Sequence, residues 1–271
     1  MPELLFFIKI AATAAVVVGL SLLAEYVSPK AAGILSGYPT VSAIILFFYG
    51  LEVNPEFAAK SAEYNIIGIS GVLFFVYFYY RASLLFKKYN VLLSSLTAIL
   101  GYFFVIWLLH FIEVNKYVAV LIPVGFSFVF IYLLKDLEDV KIKEKIKTNY
   151  KVLFLRASFA VTIILIVTSI PELVGERWAG LFSAFPSTIF PLMLIVHVTY
   201  SKEHVFTVIK NVPVGLFSVI TYSLAASIAY PLYGIYWGTL LALGVATVYL
   251  LAYARLRNTT ANNRDSRELK S

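Results

Sequence analysis

The chain has 271 residues, of which 61% are hydrophobic and 14% charged, with a formal net charge of +7 and no cysteine. Soluble domains usually hold about 45–50% apolar and about 25% charged residues, so no soluble domain is expected. The lack of cysteine excludes a disulfide framework and a cysteine-bound metal. This composition indicates an all-α polytopic membrane protein, because long apolar segments in lipid satisfy their backbone as helices.

Apolar runs between charge clusters predict about nine transmembrane helices, in chain order 4–25, 33–51, 65–81, 92–112, 117–135, 152–170, 179–198, 209–229 and 232–254. The first run follows Met1-Pro2-Glu3, without a basic leader or a small-residue cleavage site, so we interpret it as a span and not as a signal peptide. Two predicted connections are very short, namely Glu113–Lys116 and Tyr230–Tyr233.

Lysine and arginine favour one side of this topology. That side collects Lys30, Arg81, Lys87, Lys88, the linker from Lys135 to Lys151, Lys202, Lys210 and the tail from Arg255. The other side receives Lys60, Lys116 and Arg177. Positive charge marks cytoplasmic loops, so we expect a multi-pass cell-membrane protein with its N-terminus outside and its C-terminus in the cytoplasm. Topology explains these charges better than a nucleic-acid patch does, so no nucleic-acid partner is expected.

Two segments of the chain read alike. Ala32-Gly33-Ile34-Leu35-Ser36-Gly37-Tyr38-Pro39-Thr40 is followed, 147 residues later, by Ala179-Gly180-Leu181-Phe182-Ser183-Ala184-Phe185-Pro186-Ser187. The same offset pairs charged residues, which are scarce here: Lys9 with Arg156, Glu25 with Glu172, Lys30 with Arg177, and Glu56 with Glu203. Like charges at one fixed offset indicate an internal duplication.

The predicted directions of the spans make the two copies inverted. The first motif opens its span from the cytoplasmic side, and the second motif opens its span from outside. We therefore expect a first four-helix repeat over 1–112 and a linker helix with a basic amphipathic linker over 113–151. A second, inverted four-helix repeat over 152–254 and a cytoplasmic tail over 255–271 complete the chain. Inverted repeats are a recurring transporter architecture, although a duplication can also be purely structural.

The pattern of Lys9, Ala32-Gly33 and Tyr38-Pro39-Thr40 resembles the GlpM family of small bacterial inner-membrane proteins. The second half resembles another copy through Arg156, Ala179-Gly180-Leu181, Phe185-Pro186-Ser187 and Glu203. The resemblance covers both halves but neither the fifth span nor the tail, and the stretch from Pro186 to Glu203 is about one turn longer than the family pattern. It implies a tandem fusion of two small membrane proteins and names no substrate.

The candidate substrate-binding residues are the two symmetric cations and the two proline motifs. Proline removes a backbone donor and disfavours helix at the residue before it, so each motif predicts a kinked or broken helix whose polar groups can bind a ligand at membrane depth. A proline kink that allows close helix packing is the structural alternative. The residues are Lys9, Arg156, Ser36, Tyr38, Pro39, Thr40, Ser183, Phe185, Pro186, Ser187 and Thr188. Lys9 and Arg156 would attract an anion, or would extend to the membrane interface.

Four further charges flank the connections into the motif helices. The pairs Glu25/Lys30 and Glu172/Arg177 would form either local ion pairs or gates that open alternately. Every aspartate lies in the linker or the tail, and no histidine spacing suggests a metal site, so no metal, cofactor or catalytic residue is expected.

These observations predict a secondary transporter or flippase for a small or amphipathic, anionic substrate, with its site on the pseudo-two-fold axis between the second and seventh spans. A channel on the same axis is the alternative, and a membrane enzyme acting on lipid or isoprenoid substrates is disfavoured because no acidic cluster lies in the spans. The expected partners are membrane lipids and an unidentified small molecule, ion or lipid. A homo-oligomer is compatible with all of these readings.

Overall fold

The computed structural model describes residues 2–26, 38–138, 140, 150–169 and 171–268, with side chains over 4–19, 38–138, 140, 150–169 and 171–256. Within these residues the chain forms helices and no strand. The helices are α1 Pro2–Tyr26, α2 Thr40–Glu52, α3 Pro55–Leu85, α4 Asn90–His110, α5 Lys116–Leu134, α6 Tyr150–Thr168, α7 Pro171–Ser183, α8 Ile189–Thr199 and α9 Lys202–Glu268. The all-helical prediction is therefore confirmed for the described part of the chain.

Five helical segments of the described residues are long and apolar enough to cross a membrane. They are Pro55–Leu85, Asn90–His110, Lys116–Leu134, Tyr150–Thr168 and Lys202–Leu256. Shorter apolar helical stretches cover Leu4–Gly19, Thr40–Glu52 and Ile189–Thr199. The helices are thus compatible with insertion in a membrane.

Helix α3 begins ten residues before its predicted start at Asn65, at Pro55. The Asn54 side chain accepts a hydrogen bond from the Phe57 amide at 2.7 Å and so caps the helix, while Pro55 occupies the first helical turn. The polar residues Glu56, Lys60 and Glu63, which lie between the second and third predicted spans, belong to the first turns of a 31-residue helix.

Helix α9 consists of two helical segments that meet at a kink. The predicted break between the last two spans is present but lies just after the predicted turn, because Tyr230–Tyr233 are helical and the interruption falls at Gly234, with φ 72° and ψ 177°. That conformation is open to glycine and strained for other residues. The helix also continues to Glu268, past the predicted end of the second repeat at residue 254.

Helix α3 forms the centre of the molecule and packs against α2, α4, α5, α7 and α9. Nearly all of its residues from Ala58 to Val76 are buried, on every side of the helix. Helices α4, α5 and the second part of α9 expose large apolar side chains on their outer faces, among them Leu100, Trp107, Leu121 and Trp237. Exposed apolar surface of this kind around a buried centre suits contact with lipid tails.

The contacts define two opposite ends of the molecule. At the Glu52 end, Lys9 bonds Glu52 and the Thr168 carbonyl, Lys60 bonds the Val114 carbonyl, and Arg177 bonds Glu113. At the His197 end, reached by the other end of α3, Tyr79 bonds His197, Tyr80 packs on Phe206, and Lys210 bonds the Leu137 carbonyl. Helix α1 therefore starts where α6 ends, and α3 starts at the end opposite to the start of α9.

Candidate functional site

The chain leaves the helical conformation over residues 184–188, between α7 and α8. Pro186 lacks a backbone donor and disfavours helix at Phe185. Two hydrogen bonds order the break: the Ser187 amide donates to the Phe185 carbonyl at 2.7 Å, and the Phe190 amide donates to the Pro186 carbonyl at 2.9 Å. The helix break predicted from the second motif is confirmed, and Pro186 is buried.

The same two hydrogen bonds occur at the first motif. The Thr40 amide donates to the Tyr38 carbonyl at 2.7 Å, and the Ala43 amide donates to the Pro39 carbonyl at 2.9 Å. Pro39 is buried and directly precedes α2. The correspondence at the 147-residue offset extends to the ends of the helices. In the first segment the Val53 amide donates to the Tyr49 carbonyl, and the Ala58 amide donates to the Asn54 carbonyl. In the second segment the Tyr200 amide donates to the Val196 carbonyl, and the Val205 amide donates to the Ser201 carbonyl. The two segments thus share one local backbone arrangement.

A polar cluster centred on Asn65 of α3 lies beside the break. The Asn65 side-chain amide donates to Ser183 Oγ at 2.7 Å and to Ser42 Oγ at 3.4 Å, and its Oδ1 accepts from Ser223 Oγ at 2.7 Å. These serines belong to α7, α2 and α9, so one side chain connects four helices. Asn65 is fully buried, and a buried amide requires such partners because leaving it unpaired is costly. We call these four residues the Asn65 cluster.

Hydroxyl groups from neighbouring helices satisfy the last carbonyls of α7. Tyr102 of α4 donates to the Leu181 carbonyl at 2.7 Å, and Ser42 of α2 donates to the Ser183 carbonyl at 3.3 Å. Tyr49 of α2 shares its proton between the carbonyls of Ala179, at 3.1 Å, and Val167. The last carbonyls of a helix lack their usual partner within it. The hydroxyls add donors there, beside the Ala184 amide, which also donates to the Leu181 carbonyl at 3.3 Å, while Val167 belongs to α6. An ion bound at the break would have to displace them.

Lys9 is buried in an ion pair. Its amine lies 2.7 Å from Glu52 Oε1 and donates to the Thr168 carbonyl at 3.2 Å. The residue is 6% exposed, so it does not extend to an interface. Glu52 follows Ser42 by ten residues, about 15 Å along α2, so this pair and the Asn65 cluster are separate sites.

The other candidate charges have different surroundings. Arg156 of α6 is half-buried. Arg177 bonds Glu113 Oε1 at 3.0 Å, so a local ion pair with Glu172 is wrong for the described conformation. Gly175, with φ 74°, interrupts α7 between Glu172 and Arg177, and the two side chains therefore do not follow one helical face. Lys30 and the Glu25 side chain lie outside the described residues.

The remaining motif residues divide between the interior and the surface. The Tyr38 hydroxyl lies 3.2 Å from Thr247 Oγ1 of α9, and Thr40 Oγ1 donates to the Tyr38 carbonyl at 3.4 Å. The Phe185 ring packs edge-on against Tyr102, with 5.2 Å between ring centroids. Ser187 is buried and Thr188 exposed. Ser36 lies outside the described residues.

The chemistry of the site is that of hydrogen bonding. The Asn65 cluster offers an amide and three hydroxyls, which donate and accept hydrogen bonds but carry no charge. In the described residues no group of three or more His, Cys, Asp and Glu side chains could hold a metal ion.

Sequence reasoning missed Asn65, Ser42 and Ser223, and it missed Glu52 as the partner of Lys9. Asn65 was the first residue of a predicted span and therefore looked like a helix edge. The signal that places it in mid-helix is the Asn54-Pro55 cap ten residues earlier. The three serine partners are 23, 118 and 158 residues away in the chain, and no local pattern reveals them.

No protein-family model matches the chain, and comparisons with the curated proteins and the solved structures find no similar protein.

Proposed function

We propose that the chain is a membrane transporter that moves a small or amphipathic solute through the Asn65 cluster. In this proposal the protein has nine spans, arranged as two inverted four-helix repeats that α5 joins. The observation that carries the proposal is the broken helix α7–α8, which ends its first segment at Ser183, directly on the buried Asn65 amide. Helices broken next to a polar site at membrane depth are typical of transporters built from inverted repeats.

Two observations support the inverted repeat. Helices that correspond at the 147-residue offset run in opposite directions: α1 starts at the Glu52 end, where α6 stops, and α3 starts there, whereas α9 starts at the His197 end. The backbone hydrogen bonds of the two motif segments also agree position by position. The resemblance to two fused GlpM-like proteins fits this arrangement.

The charge distribution supports the orientation that we propose, with the Glu52 end outside the cell. Lys135, Lys202 and Lys210 lie at the His197 end, and Arg81 lies beside it at the end of α3. Glu52, Glu63 and Glu113 lie at the opposite end, where they are paired with Lys9, Lys60 and Arg177. A cytoplasmic position of the basic end follows the usual bias of membrane proteins.

The nature of the site narrows the substrate to a solute with hydrogen-bonding groups. The Asn65 cluster is uncharged, so its affinity would come from the amide and the hydroxyls. An anionic substrate stays a prediction based on Lys9 and Arg156. For Lys9 to attract an anion, its amine would first have to separate from Glu52, which now neutralises it at 2.7 Å.

Accessibility of the cluster from both faces tests the proposal. The chain has no cysteine, so Ser42→Cys and Ser183→Cys each create a single thiol that a membrane-impermeant maleimide can report. In right-side-out and in inside-out vesicles, alternating access predicts slow labelling of each thiol from both faces. Leu100→Cys, on the outer face of α4 and 69% exposed, is the control; it should face lipid and resist the reagent from either face.

Labelling of Ser42→Cys and Ser183→Cys from one face only, or from neither, would contradict transport through this cluster. A channel on the same axis would instead label from both faces and give a steady conductance in a planar bilayer. Counterflow that saturates with solute concentration would favour the transporter.

A further inference from the structure

The two sides of the break between α7 and α8 differ in how their hydrogen-bonding groups are satisfied. The carbonyls that end α7 receive hydroxyl donors from Tyr102 and Ser42. At the start of α8, Thr188 occupies the N-cap position, but its side chain makes no capping hydrogen bond. A helix begins with amides that have no partner inside the helix, and a polar side chain usually caps them. The break therefore has satisfied acceptors and unsatisfied donors.

The start of α8 offers two backbone donors. The Phe190 amide already donates to the Pro186 carbonyl at 2.9 Å, and Pro191 has no amide hydrogen. The amides of Thr188 and Ile189 have no hydrogen-bond partner among the described residues. The N-terminus of a helix carries a partial positive charge of about half a unit and favours an anion. The donors that remain are therefore those that an anion would use.

Ser187 adds a side-chain donor at the same place. It directly precedes Thr188, is 2% exposed, and its Oγ has no hydrogen-bond partner in the described part of the chain. A buried hydroxyl without a partner is unfavourable, so a bound acceptor would relieve it. At the equivalent position of the first motif, Thr40 Oγ1 donates to the Tyr38 carbonyl instead. Because Thr188 is exposed, the site is open on one side and lined by a buried hydroxyl on the other.

We propose that the start of α8 binds the carboxylate of the transported solute, through the Ser187 hydroxyl and the amides of Thr188 and Ile189. Three donors and a partial charge suit a singly charged carboxylate better than a phosphate, which carries more charge. Ser187 follows Ser183 of the Asn65 cluster by four residues, at most about 14 Å along the chain, so one solute can contact both. The inference rests on the proposed function, because it assigns the charged end of the solute that the Asn65 cluster would hold.

Helix α2 is not equivalent, although its N-terminus also has no capping side chain. Ser42 in its first turn donates to the Ser183 carbonyl at 3.3 Å. The positive end of α2 therefore already faces the negative end of α7, and a carboxylate there would meet that carbonyl. We accordingly assign one carboxylate site to the two motifs, at the start of α8.

Protection of a single thiol tests the site on the purified full-length protein in lipid nanodiscs, without measuring transport. The chain has no cysteine, so Thr188→Cys places one thiol at the exposed N-cap and leaves the amides in place. We expect butyrate, at constant ionic strength, to slow maleimide labelling of this thiol in a saturable manner. Butyramide has a similar shape without the charge and should not protect, and inorganic phosphate should protect less than butyrate. Lys87→Cys, exposed in the connection between α3 and α4, should react at the same rate with and without butyrate.

Two alanine variants separate the hydroxyl that binds from one that does not. Ser218 of α9 is a matched control for Ser187, because its Oγ is equally buried and without a partner among the described residues. Added to Thr188→Cys, Ser187→Ala should raise the butyrate concentration for half protection at least about tenfold, because a hydrogen bond to a charged group is lost. Ser218→Ala should leave that concentration unchanged. Neither alanine should lower the melting temperature, since each removes a buried hydroxyl that bonds to nothing.

Several outcomes would overturn the proposal. A thiol at position 188 that does not react, or that butyrate never protects, would mean that no carboxylate reaches the start of α8. Equal protection by butyramide would show that charge is not recognised, and equal protection by phosphate would show that the carboxylate is not. Unchanged protection in Ser187→Ala, or a melting temperature that falls in this variant alone, would assign the hydroxyl a structural role.

The two proposals fail separately. If butyrate protects the thiol at position 188 but Ser42→Cys and Ser183→Cys are labelled from one face only, the carboxylate site stands and transport through the Asn65 cluster does not. If those two thiols are accessible from both faces but butyrate gives no protection, transport stands and the carboxylate site does not.

Discussion

Asn65 is a single side chain on which four helices converge. Its three hydrogen bonds reach Ser42, Ser183 and Ser223, and the residue is fully buried. Hydrogen bonds between membrane helices are individually modest, on average about 0.6 kcal/mol. Three such bonds made by one buried side chain together contribute more than a single bond, and one of them fixes Ser183 at the end of α7.

We expect Asn65→Val to destabilise the protein by about 1–3 kcal/mol, because three hydroxyls lose their common partner in the interior. Thermal unfolding in detergent measures the effect. Asn211→Val in α9 is the control, since Asn211 is exposed and its side-chain amide donates to the Thr207 carbonyl one turn earlier. Equal stability of the two variants would show that the Asn65 cluster does not hold the helices together.

Among individual residues, the sequence predicted where the backbone leaves the helix but not which side chains pair. Pro186 predicted the break because proline acts on its own chain neighbours. The pairing of Lys9 with Glu52 was not predictable, since 43 residues and an entire connection separate them. Lys9 was a candidate binding residue inside the first predicted span, and Glu52 directly follows the second. Only the packing of α1 on α2 shows that they neutralise each other.

Helix α7 packs against α3 with almost no space between their backbones. A Cβ atom at Gly180 would fall against the Ser61 carbonyl oxygen and lie 3.0 Å from the backbone nitrogen of Asn65. Both are backbone atoms, so they cannot rotate away as a side chain would. The glycine allows the approach that brings Ser183 to Asn65.

Gly180→Ala should destabilise the protein by about 1–3 kcal/mol and separate α7 from α3, since overpacking of a rigid interface is costly. The control is Gly125→Ala in α5, where a Cβ would meet nothing within 4 Å. There the substitution should stabilise the helix by about 0.5–1 kcal/mol, because alanine favours the helical backbone. Melting temperatures that change in the same direction in both variants would contradict this account of Gly180.

Helix boundaries were predictable where local chemistry defines them. The Asn54-Pro55 cap starts α3, and a reading that weighted the cap above the charges of Glu56 and Lys60 would have found it. The end of the first segment of α9 was different. Pro231 suggested a turn at Tyr230–Tyr233, but proline is accepted inside this helix and the chain turns at Gly234.

For the molecule as a whole, four single cysteines test the topology. Lys87→Cys and Lys135→Cys should react with an impermeant maleimide only from the cytoplasmic face. Glu113→Cys and Glu172→Cys should react only from outside. All four positions are exposed, so differences in labelling report the side of the membrane and not burial. Reaction of all four from the same face would rule out the nine-span arrangement.

The all-helical fold was predictable from the sequence, because long apolar segments satisfy their backbone as helices. The duplication suggested by the offset between Lys9 and Arg156 stays a prediction. The sequence did not predict which helix lies at the centre of the fold. Runs of apolar residues look alike whether they face lipid, as on α4, or the interior, as on α3, so the central position of α3 depends on contacts that only the folded chain contains.

The ion pair of Lys9 with Glu52 makes the two ends of the molecule chemically unequal. At the offset that relates Lys9 to Arg156, the position of Glu52 corresponds to Thr199, so one end has an acid where the other has a neutral hydroxyl. A threonine carries no charge, so Arg156 cannot form at Thr199 the ion pair that Lys9 forms with Glu52. The likeness of the two segments is therefore one of backbone and not of charge.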